Sequence, residues 1–166
     1  MQTVLISGAS IAGLTAARLL SRLGYRVTVV EVANEPRVGG TAVDLRPASL
    51  EVARRLGLLE QLEASKLGLE RIEFKDANDA TVGSMPAGSG DLEIERSRLV
   101  HILYAKLDVD FRFGDSITAL AEHPDRIDVT FKRGAPQSFD LVIGADGTHS
   151  VVRRLHFGDE ASYVHF

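Results

Sequence analysis

Short apolar runs alternate with stretches of helical spacing at the start of the chain. Residues 4–6 are a continuous apolar run that ends before Gly8, which is typical of a buried parallel strand. Apolar residues then recur at helical spacing over residues 11–23, Gly24 follows as a stop, and residues 26–31 are a second, β-branched strand. This order of strand, glycine turn, helix and strand predicts a βαβ unit.

The pattern of the middle third predicts a helix followed by a hairpin. Pro47 can occupy the first turn of a helix that extends to about Leu56. Residues 71–75 and 81–85 flank a short polar turn, so they predict a β-hairpin. The small residues over 86–90 predict a flexible connector.

The next part of the chain predicts a helix and then strands. Apolar residues on one face predict a helix over residues 97–107, although only Asp108 then separates it from the following strand. A predicted antiparallel meander consists of three strands, at residues 109–113, 117–121 and 127–131.

Composition narrows the class of protein. The chain has 166 residues, 45% hydrophobic and 25% charged, which is ordinary for one globular domain. The net charge is -4 and the basic residues are scattered, so no nucleic-acid-binding surface is indicated. Cysteine is absent, which excludes disulfides and thiolate chemistry. Without a signal-peptide pattern or an apolar run of roughly 20 residues, a cytoplasmic protein is expected.

Residues 8–13 have the spacing of the dinucleotide-binding pattern G-x-G-x-x-G, with Ser10 in place of the middle glycine. Gly8 permits a tight turn out of the strand, and Gly13 permits close packing of the helix on the sheet. Backbone N–H groups at the helix N-terminus then face a pyrophosphate. The candidate phosphate-binding residues are Gly8, Ser10, Ile11, Ala12 and Gly13.

Glu31 ends the second strand, roughly 20 residues beyond Gly13. A carboxylate at this position accepts hydrogen bonds from an adenosine ribose and disfavours a 2′-phosphate, so the nucleotide held here is not NADP. The alternative interpretation is a βαβ unit with a turn of small residues and a surface glutamate.

Arg37 and the pair Gly39-Gly40 extend the nucleotide pattern beyond Glu31. The spacing E-x5-R-x-G-G resembles the extension found in flavoproteins with two dinucleotide-binding domains, which bind FAD. The glycine pair lets a loop run close to the cofactor. Arg37 can neutralise phosphate or approach a nicotinamide cofactor, the alternative being an arginine in a solvated loop.

A buried strand over residues 141–143 continues through Asp146 and Gly147 into a helix opened by Ser150 and containing Arg153. This segment, of form G-A-D-G-x-x-S-x-V-R, resembles the turn motif of the aromatic-ring hydroxylases, the class A flavoprotein monooxygenases. In that family the turn closes over the FAD pyrophosphate and ribose and borders the route of NAD(P)H. The resemblance implies that Asp146 and Gly147 hold the turn, and that Arg153 orients it or meets the nicotinamide cofactor.

Two further segments resemble the same family. Residues 94–103 resemble its helix start R-x-x-L-x-x-x-L, and by register Arg96, rather than Arg98, is the flavin-side arginine. The segment that contains Asp44 and Arg46 resembles the part of the family that passes the flavin, so both are candidate cofactor contacts.

The resemblance implies an α/β fold. We expect a Rossmann-like FAD-binding domain, in which a parallel sheet with a βαβ unit is joined by an antiparallel meander. Residues 1–166 correspond to the N-terminal portion of a two-domain monooxygenase, with residues 68–95 as an inserted hairpin and connector from the start of the substrate-side region. The fold is incomplete relative to the family, because its second flavin motif, a G-D turn, has no match here.

The same resemblance implies chemistry. NAD(P)H reduces FAD, oxygen adds to the flavin as a C4a-hydroperoxide, and an aromatic or polyketide-like small molecule is hydroxylated. The C-terminal half of the same enzyme is an expected partner, whereas a membrane or nucleic acid is not. We expect no catalytic side chain here, since Asp146, His149 and Ser150 lie too close on one turn to face one another as a triad. We expect no metal site, since the five histidines show no ligand spacing such as H-x-x-x-H.

Two other functions stay open. The chain can be a non-catalytic nucleotide-binding or interaction module from a truncated flavoprotein. It can also belong to a flavin-dependent reductase or halogenase of the same fold. Disulfide reductases are excluded because cysteine is absent, and amine oxidases do not usually show the Asp146-Gly147 segment.

Overall fold

The computed structural model describes residues 1–37, 39–68, 70–86 and 91–158. Most of the predicted connector, residues 87–90, lies outside the described residues, as does Val38. In chain order the elements are β1 (Thr3–Ser7), α1 (Ile11–Arg22), β2 (Arg26–Glu31), β3 (Ala42–Leu45), α2 (Pro47–Arg55), α3 (Leu59–Glu63), β4 (Arg71–Lys75), β5 (Thr81–Pro86), β6 (Leu92–Glu95), α4 (Arg96–Tyr104), β7 (Asp110–Phe113), β8 (Ile117–Glu122), β9 (Ile127–Phe131), β10 (Gln137–Phe139), β11 (Leu141–Gly144) and α5 (Val151–Phe157).

The chain divides into two compact units, one of Met1–Val38 with Leu103–Phe166 and one of Gly39–Ile102. A four-stranded parallel sheet of order β11-β1-β2-β7 forms the centre of the first unit. The side chains of residues 4–6 are fully buried, as their continuous apolar run predicts. Because the four strands are parallel, their carboxyl ends meet at one edge of the sheet, and the βαβ prediction is confirmed.

The predicted meander is wrong in its first strand. β7 pairs in parallel with β2, with Val29 opposite Phe111, and so extends the parallel sheet. The antiparallel sheet has the order β10-β9-β8 and includes β10, a short strand that the sequence did not predict. The apolar pattern of β7 fits either sheet, because pattern reports burial and not the identity of the neighbouring strand.

The core of the first unit lies between these two sheets. Leu5 and Val30 of the parallel sheet pack with Val129, Phe131 and Phe139 of the antiparallel sheet, and all five are buried. A continuous apolar cluster therefore packs against the strands β1 and β2 of the parallel sheet.

The predicted helix over residues 97–107 is wrong at its C-terminal end, because α4 ends at Tyr104. Lys106 has a positive φ of 58°, which stops the helical path. The guanidinium of Arg18 donates hydrogen bonds to the carbonyls of Leu103, at 2.7 Å, and of Ala105. A residue distant in sequence thus supplies the partner for the helix end, which local periodicity does not reveal.

The second unit contains two small antiparallel pairs, β3 with β6 and β4 with β5, together with α2 and α3. Leu62 and Ile94 are buried in it. The hairpin of β4 and β5 has the predicted position, but Ile72 and Phe74 are 44% and 50% exposed. Among the described residues of the whole chain, no helix is long and apolar enough to cross a membrane.

Candidate functional site

The glycine turn, residues 8–13, connects β1 to α1 at the carboxyl edge of the parallel sheet. Gly8 has φ of 107°, and its N–H donates to the carbonyl of Val30 at 2.8 Å. A Cβ added at Gly13 would overlap the carbonyl oxygen of Gly8. Both glycines are therefore required by the geometry of the turn, as the sequence pattern predicts.

The N-terminus of α1 fits a pyrophosphate. Ser10 occupies the N-cap with an extended backbone, and it is half-buried together with Ile11, whereas Ala12 is exposed. The first N–H groups of a helix have no partner within that helix, and they carry its partial positive charge. No acidic side chain lies in the first turn to compete for them. This end of α1 can accept a diphosphate without displacing a side-chain carboxylate from that turn.

Glu31 lies beside the glycine turn and holds backbone on both sides. One carboxylate oxygen accepts a hydrogen bond from the Ala9 N–H at 2.8 Å, and the other accepts one from the Ala33 N–H at 2.9 Å. Each carboxylate oxygen has a further acceptor position, so these bonds leave capacity for ribose hydroxyls. The ribose role of Glu31 stays a prediction, while its hold on the glycine turn is a finding that sequence reasoning missed.

The Asp-Gly turn, residues 145–150, connects β11 to α5 at the same sheet edge. Asp146 accepts hydrogen bonds from the Ser150 hydroxyl at 2.5 Å and from the Val151 and Val152 N–H groups at 2.8 and 3.3 Å. Gly147 has φ of 83°, a conformation that favours glycine. The carboxylate thus holds the turn from inside by capping α5.

Arg153 lies on the first turn of α5, and its guanidinium donates to the Thr148 carbonyl at 2.5 Å. This bond links the start of α5 to the Asp-Gly turn. The two roles that the family resemblance implies for Arg153, to orient this turn toward a cofactor or to meet NAD(P)H, stay predictions.

The two turns touch each other. The Ala145 N–H donates to the Ser7 carbonyl at 2.8 Å, and the Ser7 hydroxyl donates to Asp146 at 3.2 Å. A Cβ on Gly8 would overlap the Ala145 carbonyl oxygen. The structure therefore brings together three predicted features, the glycine turn, Glu31 and the Asp-Gly turn. Ser7 was missed, although a polar residue at the end of a buried apolar strand is a usable signal.

The Asp-Gly turn brings Ser150 and Asp146 together, but not as part of a triad with His149. The Ser150 hydroxyl donates directly to Asp146. It also accepts the Arg153 N–H at 3.0 Å and is buried at the start of α5. A nucleophilic serine donates to a base that a carboxylate orients, whereas here the carboxylate itself is the acceptor. The arrangement caps a helix and has no nucleophile geometry.

Asp115 is a further buried carboxylate of this edge that sequence reasoning missed. It is 6% exposed and follows β7, where it accepts the N–H groups of Ser116, Arg133 and Gly134 at 2.8 Å each. Burial raises the pKa of the Asp115 carboxyl, but the backbone N–H groups of Ser116, Arg133, Gly134 and Lys132 outweigh it, so the pKa lies below its ordinary value.

The second unit contains the flavin-side candidates Asp44, Arg46 and Arg96. Arg96 begins α4, donates to the Gly39 carbonyl at 3.3 Å and covers Gly40, where an added Cβ would lie 3.0 Å from its Cδ. Arg98 instead donates to the Ser65 hydroxyl at 3.1 Å. Arg96, the arginine that the register selects, therefore contacts the glycine pair, and its role toward the flavin stays a prediction.

The other cofactor candidates are exposed. Asp44 lies on β3, Arg46 is the N-cap of α2, and Arg37 lies after β2 in the first unit. Their roles toward a cofactor stay predictions.

Comparison with known proteins identifies the family. Residues 1–158 match the FAD binding domain family. An uncharacterized protein of Mycobacterium tuberculosis is 43% identical over 174 residues, which cover 99% of this chain and 47% of that protein. A flavin-dependent monooxygenase of Legionella longbeachae is 32% identical over 161 residues, covering 93% of this chain and 41% of that protein.

Solved structures agree with the fold. Tetracycline destructase Tet(55) superimposes with a TM-score of 0.86 at 34% identity, over 96% of this chain and 42% of its own. Klebsiella pneumoniae HpxO, solved with FAD and uric acid, superimposes with a TM-score of 0.74 at 27% identity. The match covers 92% of this chain and 41% of that protein. The chain thus spans less than half the length of these relatives, and the predicted Rossmann-like fold is confirmed. This chain belongs to the FAD-binding domain family of the flavin-dependent monooxygenases, and its cofactor is FAD.

Proposed function

We propose that this chain is the FAD-binding portion of an NAD(P)H-driven monooxygenase that hydroxylates an aromatic or polyketide-like small molecule. The observation that carries the proposal is the meeting of the glycine turn, Glu31 and the Asp-Gly turn at one sheet edge. Strand ends of an open parallel sheet are where such folds bind nucleotides. The family match and the names of the relatives support the assignment to oxygen chemistry.

Each residue near the glycine turn has a defined task in this proposal. The N–H groups at the start of α1, around Ser10, Ile11 and Ala12, would bind the FAD pyrophosphate. Glu31 would accept the ribose hydroxyls of the adenosine, while its bonds to Ala9 and Ala33 keep the carboxylate in place. A carboxylate there opposes a 2′-phosphate, so FAD and not NADP would occupy this position.

The remaining candidates have the tasks that the family resemblance implies. Arg96, placed against the glycine pair, would be the flavin-side arginine, and Asp44 and Arg46 would contact the flavin. Arg37 would neutralise phosphate or approach NAD(P)H. Gly147 and Arg153 would border the route of NAD(P)H. When bound, FAD supplies the redox chemistry by taking electrons from NAD(P)H and delivering them to oxygen. The protein residues bind and orient, and none is assigned as a catalytic acid or base.

The proposal extends to the rest of the enzyme. Residues 68–95 would begin the substrate-side region, which the exposed apolar side chains of Ile72 and Phe74 support because such residues need a cover. The cover would be the further polypeptide that makes the relatives more than twice as long as this chain, with 41% and 42% of their lengths covered here. A cytoplasmic location is included, because NAD(P)H is supplied there.

A non-catalytic nucleotide-binding module is the second candidate. The glycine turn and Glu31 favour it, because they can hold the adenosine side of a nucleotide without any contact to the flavin. Such a module would bind the adenosine side of FAD without reducing oxygen.

Spectroscopy of the purified 166-residue chain separates these functions. A yellow protein that consumes oxygen when NADPH or NADH is added supports the monooxygenase. FAD binding without oxygen uptake supports the module for this chain. A colourless protein that does not bind FAD in a fluorescence titration contradicts both, because the glycine turn and Glu31 would then not hold the adenosine.

A further inference from the structure

Ser7 is a buried polar residue that the proposed function leaves without a task. It is 7% exposed and is the last residue of β1, directly before the glycine turn. Its parallel neighbours are Val30 on β2 and Gly144 on β11, so it lies between the strands that lead to Glu31 and to the Asp-Gly turn. A buried hydroxyl needs a partner, and the partner of Ser7 is the carboxylate of Asp146 at 3.2 Å.

Asp146 connects Ser7 to the start of α5. The carboxylate oxygen that accepts the Ser7 hydroxyl also accepts the Val151 N–H at 2.8 Å and the Val152 N–H at 3.3 Å. Its other oxygen accepts the Ser150 hydroxyl at 2.5 Å. These four donors together fix the orientation of the carboxylate, and removing the Ser7 hydroxyl removes its side-chain link to β1.

Backbone contacts make the connection stiff. The Ala145 N–H bonds to the Ser7 carbonyl at 2.8 Å, so Ser7 contacts the Asp-Gly turn through both its backbone and its side chain. Gly8 leaves no space for a Cβ against Ala145. A displacement of the glycine turn should therefore also displace Asp146 and the start of α5.

We propose that Ser7 is a positioning residue that couples the glycine turn to the Asp-Gly turn through Asp146. It fixes the Asp146 carboxylate, and thereby the start of α5, relative to the glycine turn before any nucleotide binds. A diphosphate nucleotide bound at the glycine turn then stabilises the start of α5 as well. This second consequence rests on the proposed function, whereas the coupling itself is a property of the protein alone.

Amide hydrogen exchange tests the coupling without a ligand. The variants are Ser7→Ala, which removes the hydroxyl, and Ser7→Thr, which keeps it. The matched control is Thr28→Val, because Thr28 is also a buried strand hydroxyl that donates to a carboxylate, that of Asp110 at 3.4 Å. We expect Ser7→Ala to speed exchange of the Val151 and Val152 amides roughly tenfold. Ser7→Thr restores protection, and Thr28→Val leaves these two amides unchanged.

A double variant distinguishes coupling from general loosening. In the Asp146→Asn background, Ser7→Ala should have little further effect on the Val151 and Val152 amides, because their shared acceptor is already altered. Equal exchange rates of these amides in Ser7→Ala and Thr28→Val overturn the proposal. So does a Ser7→Ala variant in which the amides of β2 exchange faster by the same factor as those of Val151 and Val152. A full additional tenfold effect in the Asp146→Asn background also overturns it.

A titration with ADP tests the ligand-dependent consequence. In the unmodified chain, ADP should slow exchange in the glycine turn and at Val151 and Val152, and in Ser7→Ala only in the glycine turn. If ADP and FAD do not bind while the ligand-free exchange pattern is as expected, the proposed function fails and the coupling stands. If ADP binds and protects α5 equally in Ser7→Ala, the coupling fails and the nucleotide site stands.

Discussion

The glycine turn and the Asp-Gly turn lie side by side but are built in different ways. The glycine turn depends on residues without a side chain, since a Cβ at Gly13 would overlap backbone. The Asp-Gly turn depends on one side chain that is present, because Asp146 accepts donors from β1 and from α5. Steric exclusion tolerates no substitution, whereas a hydrogen-bonded carboxylate can be replaced in part. The two turns should therefore differ in how they respond to mutation.

The largest effect is expected from Gly13→Val. The added atoms meet the Gly8 carbonyl oxygen, which is backbone and cannot rotate away, so we expect a loss of about 3 kcal/mol in the free energy of unfolding. FAD binding should be lost with it. Gly68→Val is the control, because nothing lies within 4 Å of a Cβ there. Urea unfolding measures both variants, and equal stability of the two would contradict the steric account.

The next effect is expected from Asp146→Ala. Removing the carboxylate leaves the Ser7 hydroxyl and the Val151 and Val152 N–H groups without their acceptor, so we expect a loss of about 2 kcal/mol in the free energy of unfolding. Asp146→Asn keeps one acceptor oxygen and should lose less. Asp125→Ala, at an exposed carboxylate, should change stability by less than about 0.5 kcal/mol. An Asp146→Asn variant as unstable as Asp146→Ala would mean that shape, and not hydrogen bonding, holds this turn.

Glu31→Ala should weaken FAD binding by roughly 1.5–3 kcal/mol, because a charged acceptor of ribose hydroxyls is removed. It should also loosen the glycine turn, since the Ala9 N–H loses its acceptor. Glu31→Gln keeps one acceptor oxygen, so its FAD affinity should lie between those of the unmodified chain and Glu31→Ala. FAD titration by flavin fluorescence measures the affinities, and unchanged affinity in Glu31→Ala would show that the adenosine lies elsewhere.

The smallest effect concerns pH and Asp115. The pKa of its carboxyl is lower in the folded protein than in the unfolded chain, so the ionised form stabilises the fold. This stability is present above the unfolded pKa, about 3.9, and is lost as pH falls through the folded value. Asp115→Asn removes this contribution, so its unfolding free energy should depend less on pH below about pH 4. Parallel pH dependences in the variant and the unmodified chain would contradict the assignment.

Local features were predictable from the sequence. A turn of six residues, its flanking strand and helix, and an acid at the end of the next strand are set by neighbours in the chain. The turn over residues 8–13 and the position of Glu31 were therefore predictable, while their contacts with FAD stay predictions. Asp146 and Gly147 were found in the same way. The register that selects Arg96 over Arg98 rests on the family resemblance, and the flavin-side role of Arg96 stays a prediction.

Contacts between segments distant in sequence were not predictable. The apolar pattern of β7 indicates burial without naming its neighbour, and only packing decided that it joins β2. The end of α4 depends on Arg18, more than 80 residues away along the chain, as the separations of 85 and 87 show.

The sequence by itself determined the two turns, because their conformations follow from glycine, from small residues and from helix and strand periodicity. The tertiary structure alone decided that the turns meet, because the parallel pairing of β1 with β11 is a long-range contact. That pairing brings Ser7 next to Asp146, 139 residues away in sequence. It thereby adds the Ser7 hydroxyl to the donors that the Asp-Gly turn and α5 supply. Spacing along the chain describes each turn separately, whereas their hydrogen bonds to each other exist only in the folded sheet.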